Sequence, residues 1–368
     1  MLSRTWKIII VVTFSVVVVI LAFFMFEGFA SIVFVAHKIM ASRPLAERLH
    51  TKYDQELGWI NLPNLHIADM YGTGKYLRTN SQLFRNNEDF EANIKDHRVR
   101  IVCSGDSFTF GYGVDNDHTW CNILTLIDRR LETINMGQGG YGIDQSYLWY
   151  KRNNPIIDHD IHVFAFVTTD FKRMESSSML GYGKPILELH DGILRPKNIP
   201  VPTRSFYVPW LTHIINGIGD LSSLKLLAKL REKIFTTKET QASTSQTYDI
   251  AIKVFEELYR INRSKDSILV LVYLPTLGDH RGNASDIWRQ FIDTHLAKDK
   301  IVYIDLIEDF KKVLPQEIKK MFISPGVLDY HYAAGHYTEE GNAYIAEMLY
   351  NKLIAIPQIS ERLLERSW

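Results

Sequence analysis

From Val99 onward the chain alternates short β-branched runs with amphipathic segments, and this alternation restricts the fold more than any other feature. The pattern is typical of parallel strands joined by helices. Five strands are predicted, at Val99–Cys103, Thr133–Asn135, Ile161–Val167, Ser267–Tyr273 and Ile301–Ile304. Helices are predicted at Trp120–Leu131, Asp144–Arg152, Tyr248–Asn262, Ser285–Leu296 and Thr338–Leu353. We therefore expect an α/β protein, a three-layer αβα sandwich with a central parallel sheet.

The first predicted strand runs directly into a Gly-Asp-Ser turn. The sequence is Val102-Cys103-Ser104-Gly105-Asp106-Ser107-Phe108-Thr109-Phe110-Gly111, so Ser107 follows a buried strand and opens a helix. Its hydroxyl is expected at the carboxyl edge of the sheet, where open α/β sheets bind ligands. Asp106 is predicted to hold the turn together through backbone N–H groups. Ser107 is therefore the first candidate for a functional residue.

Three later segments are predicted to reach the same edge. A glycine-rich turn, Asn135-Met136-Gly137-Gln138-Gly139-Gly140-Tyr141-Gly142, follows the second strand, and Thr168-Thr169-Asp170 ends the third. Near the C-terminus, Gly335-His336-Tyr337-Thr338-Glu339-Glu340-Gly341-Asn342 places a histidine before a helix that Thr338 can cap. Taken singly, each segment also fits an ordinary turn or loop. Together they offer the nucleophile, base and oxyanion donors that acyl transfer through serine requires.

In this order the motifs resemble those of the SGNH (GDSL-type) hydrolases, which are serine esterases and acyltransferases. The stretch before them resembles that of bacterial membrane-anchored envelope members, through Gly58-Trp59, Pro63-Asn64, Arg78-Thr79-Asn80-Ser81 and Phe84-Arg85. The resemblance covers Val99 to Leu353 and implies the flavodoxin-like SGNH fold. It also implies a role for each matched residue. Ser107 is the nucleophile, His336 is the base, and Gly140 and Thr169 are oxyanion donors together with the N–H of Ser107. Glycine suits position 140 because the substrate has to approach the backbone closely there.

Two positions depart from the family pattern. Thr169 stands where asparagine is expected, and a threonine hydroxyl donates one hydrogen bond with a shorter reach. Ala333 stands where the aspartate that orients the histidine is expected, three residues before His336. Asp329, the nearest upstream acid, is our candidate for that role, with Asp170 as the structural alternative. His331 competes with His336 for the role of base but lacks the downstream glycine.

The N-terminal region is strongly apolar. No charged residue occurs from Ile8 to Phe26, and the apolar character resumes after Glu27. This length is enough to span a bilayer, and it exceeds the usual apolar core of a secretory signal. We predict a single-pass, uncleaved membrane anchor with the rest of the chain outside the cytoplasm, in the periplasm.

The predicted organisation has three parts. Residues 1–38 form the anchor, residues 39–98 an accessory segment, and residues 99–357 the hydrolase domain with an insertion at about 174–247. In the insertion we expect a hairpin over Leu187–Leu194, a helical stretch at Trp210–Phe235 and an exposed connector at Thr236–Thr247. Phe206, Tyr207 and Trp210 are its candidates for lining a substrate cleft.

Composition and spacing exclude several classes of partner. Lys and Arg number 42, as do Asp and Glu, so no excess positive charge favours nucleic-acid binding. Cys103 and Cys121 are predicted to be small buried side chains without a disulfide bond between them. The Asp158-His159-Asp160 run with His162 lacks a further zinc-like ligand pair, so we interpret it as solvated polar residues. No metal or organic cofactor is predicted.

Three functions are consistent with these features. The first is a membrane-anchored serine hydrolase that cleaves an ester, such as an O-acetyl group, on an envelope glycan or lipid. The second is an O-acyltransferase that uses the same serine to acylate a polysaccharide. The third is a catalytically degenerate domain that binds a glycan or a partner protein, which the changes at Thr169 and Ala333 motivate.

Overall fold

The structure is a computed structural model that describes residues 3–41, 47–179, 182–202, 239–296 and 301–366. The chain divides into two units. One comprises Met1–Ala46 and Phe206–Thr237, and the other comprises Glu47–Ser205 and Lys238–Trp368. The predicted helical stretch Trp210–Phe235 and the aromatic residues Phe206, Tyr207 and Trp210 lie outside the described residues.

The first unit contains helix α1 (Arg4–Ala41). Within the part from Arg4 to Met25, an 18-residue window has a mean hydropathy of 3.2, and none of that window is buried. It is the one helix among the described residues that is long and apolar enough to cross a membrane. Its length and composition suit a membrane span or a signal anchor equally.

In its described residues the second unit contains thirteen strands, most of them short. They are β1 (Thr51–Asp54), β2 (Gly58–Asn61), β3 (His66–Ile67), β4 (Leu77–Arg78), β5 (Val99–Ser104), β6 (Leu131–Asn135), β7 (Ile161–Phe166), β8 (Ser178–Met179), β9 (Tyr182–Gly183), β10 (Ile186–His190), β11 (Ile193–Lys197), β12 (Ile268–Tyr273) and β13 (Val302–Asp305). Its helices are α2 (Glu47–His50), α3 (Ser107–Phe110), α4 (Trp120–Ile127), α5 (Ile143–Asn153), α6 (Thr168–Arg173), α7 (Glu239–Arg263), α8 (Leu277–Arg281), α9 (Asp286–Leu296), α10 (Ile307–Phe310), α11 (Pro315–Met321), α12 (Glu339–Ile354) and α13 (Pro357–Glu365). Two short 3-10 helices cover Asn154–Ile156 and His331–Ala333.

Five of these strands form the central sheet, in the order β13-β12-β7-β5-β6. All four pairings between neighbours are parallel. The register sets Val102 of β5 beside Ile134 of β6 and His162 of β7. The five strands predicted from the sequence are these five, so the predicted parallel sheet is confirmed.

Helices cover both faces of the sheet. Because side chains alternate along a strand, Val102 packs into one apolar layer while Ile101 and Cys103 pack into the other. Trp149 of α5 belongs to the first layer, and Trp120 of α4 belongs to the second. Two apolar layers on either side of one sheet make the predicted three-layer αβα sandwich, which is thereby confirmed.

The remaining strands form four two-stranded antiparallel pairs: β1–β2, β3–β4, β8–β9 and β10–β11. The pair β10–β11 is the hairpin predicted in the insertion, with Asp191 and Gly192 at its turn, both at positive φ. The pairs β1–β2 and β3–β4 lie in the accessory segment, whose part from Glu47 onward belongs to the same unit as the sheet.

One prediction about the insertion is wrong. Helix α7 begins at Glu239, so the residues from Glu239 to Thr247 are helical and do not form an exposed connector. The amphipathic stretch from Tyr248 onward nucleates the helix, and each residue added at its N-terminal end gains one backbone hydrogen bond. Thr247 is buried and donates its hydroxyl to Oε1 of Glu175 at 2.9 Å, which holds this turn against the domain.

Candidate active site

Ser107 is the first residue of α3, immediately after β5. The carboxylate of Asp106 caps this helix, because its Oδ1 accepts a hydrogen bond from the N–H of Phe108 at 2.8 Å. Gly105 has to be glycine, since a Cβ atom there would lie 2.4 Å from the carbonyl oxygen of Ala165. The turn therefore presents the Ser107 hydroxyl at the carboxyl edge of the sheet, as its position in the sequence predicts.

His336 meets Ser107 at this edge. Nε2 of His336 lies 2.7 Å from Oγ of Ser107, although 229 positions separate the two residues. The segment that carries His336 is fixed by its backbone, because the N–H of Ile323 donates to the carbonyl of His336 at 2.9 Å. Thr338 then caps α12 by accepting a hydrogen bond from the N–H of Gly341 at 3.1 Å. The competing histidine, His331, is exposed and lies against Tyr332.

The other ring nitrogen of His336 makes no hydrogen bond to a carboxylate in the described part of the chain. Its Nδ1 atom is buried and makes no hydrogen bond within the described residues. Ala333 is fully buried, and Asp329, the candidate orienting acid, is exposed and makes no hydrogen bond with His336. The structure thus brings Ser107 and His336 together, and it shows no hydrogen bond between Asp329 and His336.

The surroundings of His336 favour its neutral form. Burial lowers the pKa of His336 to about 4 and the positive charge of Arg173 adds to this, while the negative charge of Asp106 and the backbone groups of Ala333 and Ala334 only partly oppose it. The imidazole packs against the ring of Phe108 at 4.5 Å and that of Tyr112 at 5.4 Å between ring centroids. A neutral imidazole at neutral pH is the form that can accept the proton of a serine hydroxyl.

Gly140 lies in the loop between β6 and α5, with φ at +79°. The loop is tied to the nucleophile turn, since the N–H of Gln138 donates to the carbonyl of Gly105 at 3.0 Å. Within the described part of the chain, the N–H groups of Ser107 and Gly140 donate no hydrogen bond. Both N–H groups therefore have no acceptor among the described residues, and their predicted role as oxyanion donors stays a prediction.

The accessory segment supports this loop. Nε1 of Trp59, in β2, donates to the carbonyl of Gly139 at 2.8 Å, and the hydroxyl of Tyr141 donates back to the carbonyl of Trp59. A Cβ atom on Gly140 would lie 3.4 Å from the Trp59 ring. The sequence gives no role to Trp59, and only its position in the fold connects it with the site.

Thr169 is an exposed residue in the first turn of α6. The next residue, Asp170, is buried and accepts a hydrogen bond from the N–H of Val167 at 2.9 Å. Burial and the nearby Asp106 raise the pKa of Asp170, and Arg173 opposes the rise. Asp170 therefore holds the start of α6, and its carboxylate makes no hydrogen bond with His336.

Sequence reasoning missed Arg173, the last residue of α6. Its Nη1 atom lies 2.9 Å from Oδ2 of Asp106 and 2.6 Å from Oδ1 of Asp170. Burial lowers the pKa of Arg173, but the attraction of Asp170 and Asp106 outweighs this and raises it. Its spacing of three residues from Asp170 on a helix was the one available signal, because such residues face each other.

The histidines near Asp158 are not solvated polar residues, so that interpretation is wrong. His159 and His162 are buried, and burial lowers the pKa of both. Nε2 of His162 lies 2.6 Å from Oγ of Ser104, and Nδ1 of His162 lies 3.1 Å from Nδ2 of Asn262. Because β7 is a central strand with helices on both faces, the side chain of His162 points into a covered layer and not into solvent.

One group of three possible metal ligands lies close together in the described residues: Asp115, His118 and Glu339. Each is already engaged, since Nδ1 of His118 lies 2.8 Å from Asp115 and Nζ of Lys75 lies 2.7 Å from Glu339. These ion pairs account for the cluster without a metal ion. Cys103 and Cys121 are both buried with free thiols.

No protein-family model matches the sequence, and no curated protein is detectably similar to it. Among solved structures, the chain is similar to a member of the lipolytic protein G-D-S-L family from Veillonella parvula, with 12% identity and a TM-score of 0.38; the match covers 70% of this chain and 100% of the other. It is also similar to the lipase/acylhydrolase from Enterococcus faecalis, with 14% identity, a TM-score of 0.36 and coverage of 70% and 96%. A carbohydrate esterase family 2 enzyme from Corynascus thermopiles matches with 14% identity, a TM-score of 0.37 and coverage of 72% and 68%. At these low identities and TM-scores, activity and substrate have to be argued from the residues of the site.

Proposed function

We propose that this protein is a serine ester hydrolase of the SGNH type, in which Ser107 is the nucleophile and His336 is the base. One observation carries the proposal, the distance of 2.7 Å between Oγ of Ser107 and Nε2 of His336. A serine becomes a useful nucleophile when a neutral base within hydrogen-bond reach accepts its proton. The lowered pKa of His336 supports the proposal, because it keeps the ring neutral at neutral pH.

In the first half of the reaction, Oγ of Ser107 attacks the carbonyl carbon of the ester while Nε2 of His336 takes the hydroxyl proton. The carbonyl π bond opens and its electron pair becomes the oxyanion. When the carbonyl re-forms, the bond to the alcohol oxygen breaks and the leaving alcohol takes the proton from His336. The products are an acyl-Ser107 ester and a free alcohol.

The oxyanion is assigned to three donors. The N–H groups of Ser107 and Gly140 supply two hydrogen bonds, and the Thr169 hydroxyl supplies the third. Fixed donors of this kind stabilise the negative charge that develops on the carbonyl oxygen, and one donor is typically worth about 10²–10³ in turnover. Threonine at position 169 is therefore the weakest part of the pocket, since its hydroxyl reaches less far than an asparagine amide.

In the second half, water replaces the alcohol. His336 takes a proton from the water, the hydroxide attacks the acyl carbon, and the bond to Oγ of Ser107 breaks as the proton returns to the serine. A carboxylic acid leaves and the enzyme is restored. The same two residues therefore serve both halves of the cycle.

As substrate we propose an acyl ester, such as an O-acetyl group, on a glycan or lipid of the cell envelope. Helix α1 supports this proposal, because 22 residues of high hydropathy suit a membrane anchor. An anchored domain outside the cytoplasm would encounter such esters at high local concentration.

The proposal is tested with the full-length protein in detergent, p-nitrophenyl acetate as the ester and a fluorophosphonate as the active-site label. Wild type should hydrolyse the ester and carry the label on Ser107. Ser107→Ala should not take up the label, and its turnover of p-nitrophenyl acetate should fall at least about 10³-fold below that of wild type. Hydrolysis that Ser107→Ala leaves unchanged would falsify the assignment.

The absence of a carboxylate at Nδ1 of His336 favours one competing function among those considered, a binding domain that has lost turnover. The same label separates the two functions. A binding domain leaves Ser107 unreactive, whereas a dyad with a neutral base reacts covalently even when its turnover is slow.

A further inference from the structure

A single nitrogen atom of Arg173 touches three segments of the candidate site. Nη1 lies 2.9 Å from Oδ2 of Asp106, 2.6 Å from Oδ1 of Asp170 and 2.9 Å from the carbonyl oxygen of Tyr141. In sequence, these three partners are the immediate neighbours of Ser107, Thr169 and Gly140. Each partner lies in the segment after one of three adjacent strands: Asp106 after β5, Tyr141 after β6 and Asp170 after β7.

The three partners do more than balance the charge of Arg173. Asp106 also caps α3 through the N–H of Phe108, and Asp170 also binds the N–H of Val167. In each carboxylate, one oxygen accepts a hydrogen bond from a backbone N–H of its own turn and the other oxygen contacts Arg173. A shift of the guanidinium would be transmitted to the turn that carries Ser107 and to the turn that carries Thr169.

The surroundings keep Arg173 in place. The Arg173 side chain is 19% exposed, and those of Asp106 and Asp170 are 1% and 3% exposed, so the ion pairs are shielded from solvent. Lys184 from the insertion binds the backbone carbonyl of Arg173 and Oδ2 of Asp144, each at 2.7 Å. Charged hydrogen bonds in such shielded surroundings are stronger and more directional than the same bonds at a solvated surface.

We propose that Arg173 is a positioning residue that fixes the nucleophile turn and the two oxyanion segments relative to one another. This inference rests on the proposed function. Arg173 does not touch the reacting atoms. It acts through Asp106, Tyr141 and Asp170, so its removal should impair the transition state more than substrate binding, because misplacement of about 1 Å can reduce turnover about 10²-fold.

Two variants separate geometry from charge. Arg173→Lys keeps the positive charge on a side chain that is shorter by one bond, whereas Arg173→Gln removes the charge. Arg100→Lys is the matched control, because Arg100 is also a buried arginine in an ion pair, with Glu132, but lies at the start of β5, away from the site. For each full-length protein we would measure kcat, KM and the pH profile of p-nitrophenyl acetate hydrolysis, together with thermal unfolding.

Both Arg173 variants should lose about 10²-fold in kcat with KM changed less than about threefold. Asp106 and Arg173 act on His336 through their charges, and Tyr112 packs against its ring. Arg173→Gln removes the positive charge that opposes protonation of His336. The acid limb of this variant's pH profile, which is the fall in activity at low pH, should therefore move to higher pH. Arg173→Lys should leave the acid limb in place, and a merely structural role would not separate the two variants in this way. Arg100→Lys should lower the unfolding temperature without changing kcat or the pH profile.

Wild-type kcat in both folded Arg173 variants would overturn the inference while leaving the proposed function intact. Turnover that does not depend on Ser107 would overturn both. If neither Arg173 variant folds, Asp170→Asn, which keeps the side-chain shape, replaces them. It should lose about 10-fold in kcat through misplacement of the same turn, and unchanged kcat in this variant would contradict the inference.

Discussion

His336 differs from the histidine of a Ser-His-Asp triad in what lies behind it. Its Nδ1 atom is buried without a hydrogen-bond partner among the described residues, and Ala333 occupies the position of the expected acid. A carboxylate there would stabilise the protonated ring and raise its pKa. Burial acts in the opposite direction here and brings the pKa of His336 to about 4. The ring is thus a weak base that stays neutral over a wide pH range.

This environment predicts an unusual pH profile. In the proposed mechanism the active form contains neutral His336, so kcat/KM should stay level from neutral pH to about pH 5 and fall only as the pH drops through about 4. An unperturbed histidine would give the same fall near pH 6.5. The measurement is the pH dependence of kcat/KM for p-nitrophenyl acetate with wild type.

The matched control is Ala333→Asp beside Ala333→Asn. The aspartate should move the acid limb to higher pH, because its charge stabilises the imidazolium, and the asparagine should not. An acid limb already near pH 6.5 in wild type would show that the ring is more solvated, or better supported, than its surroundings in the structure suggest.

Beneath the nucleophile turn, β5, β7 and α7 are joined by a buried polar network. Asn262 of α7 is its centre, since it contacts Nδ1 of His162 at 3.1 Å, accepts from the Tyr150 hydroxyl at 2.8 Å and donates to the carbonyl of Leu258 at 2.8 Å. Ser104, the last residue of β5, completes it through His162. Polar groups buried this completely stabilise the fold only when each has a partner.

Asn262→Ala should therefore lower the free energy of unfolding by about 2 kcal/mol, because it leaves Nδ1 of His162 without a partner and removes one of the two partners of the Tyr150 hydroxyl. Urea unfolding followed by circular dichroism measures the change. Ser264→Ala, two residues further along and exposed, is the control and should change stability by less than about 0.5 kcal/mol. An Asn262→Ala protein as stable as wild type would mean that water replaces the lost contacts.

The two units of the chain differ in how far their apolar side chains are exposed. In the unit that carries the site, the strands and their flanking helices bury two apolar layers, whereas α1 exposes large apolar side chains such as Val11, Phe14 and Val18. A stable soluble surface does not carry so long an apolar run. A lipid environment would cover it, in agreement with the predicted anchor.

Replacing both Val11 and Val18 by arginine should move the full-length protein from the membrane fraction to the soluble fraction. Each arginine at the centre of a membrane span costs about 2.5–3.5 kcal/mol of insertion free energy. The Val11→Leu, Val18→Leu protein is the control and should stay in the membrane fraction. Wild type recovered as a soluble protein after cell fractionation would contradict the predicted anchor.

Much of the sheet and part of the site could be predicted because they depend on short-range patterns. The five parallel strands follow from apolar runs of the right length, and Ser107, Gly140 and Thr169 follow strand ends in the sequence. His336 could be proposed from its place before a capped helix. Its contact with Ser107 could not be predicted, because a hydrogen bond between residues 229 positions apart depends on the arrangement of the whole domain.

By itself, the sequence determined the alternation of strands and helices and the apolar N-terminal segment, since both are a matter of residue type and local spacing. It also placed alanine at position 333, where the resemblance implies an acid. Only the tertiary structure decided that Asp329 is exposed without a hydrogen bond to His336, that His162 is buried, and that Arg173 joins Asp106, Tyr141 and Asp170. The physical reason is the same in each case. Burial and charge pairing depend on which strands lie side by side, and that order, β13-β12-β7-β5-β6, is not the order of the chain.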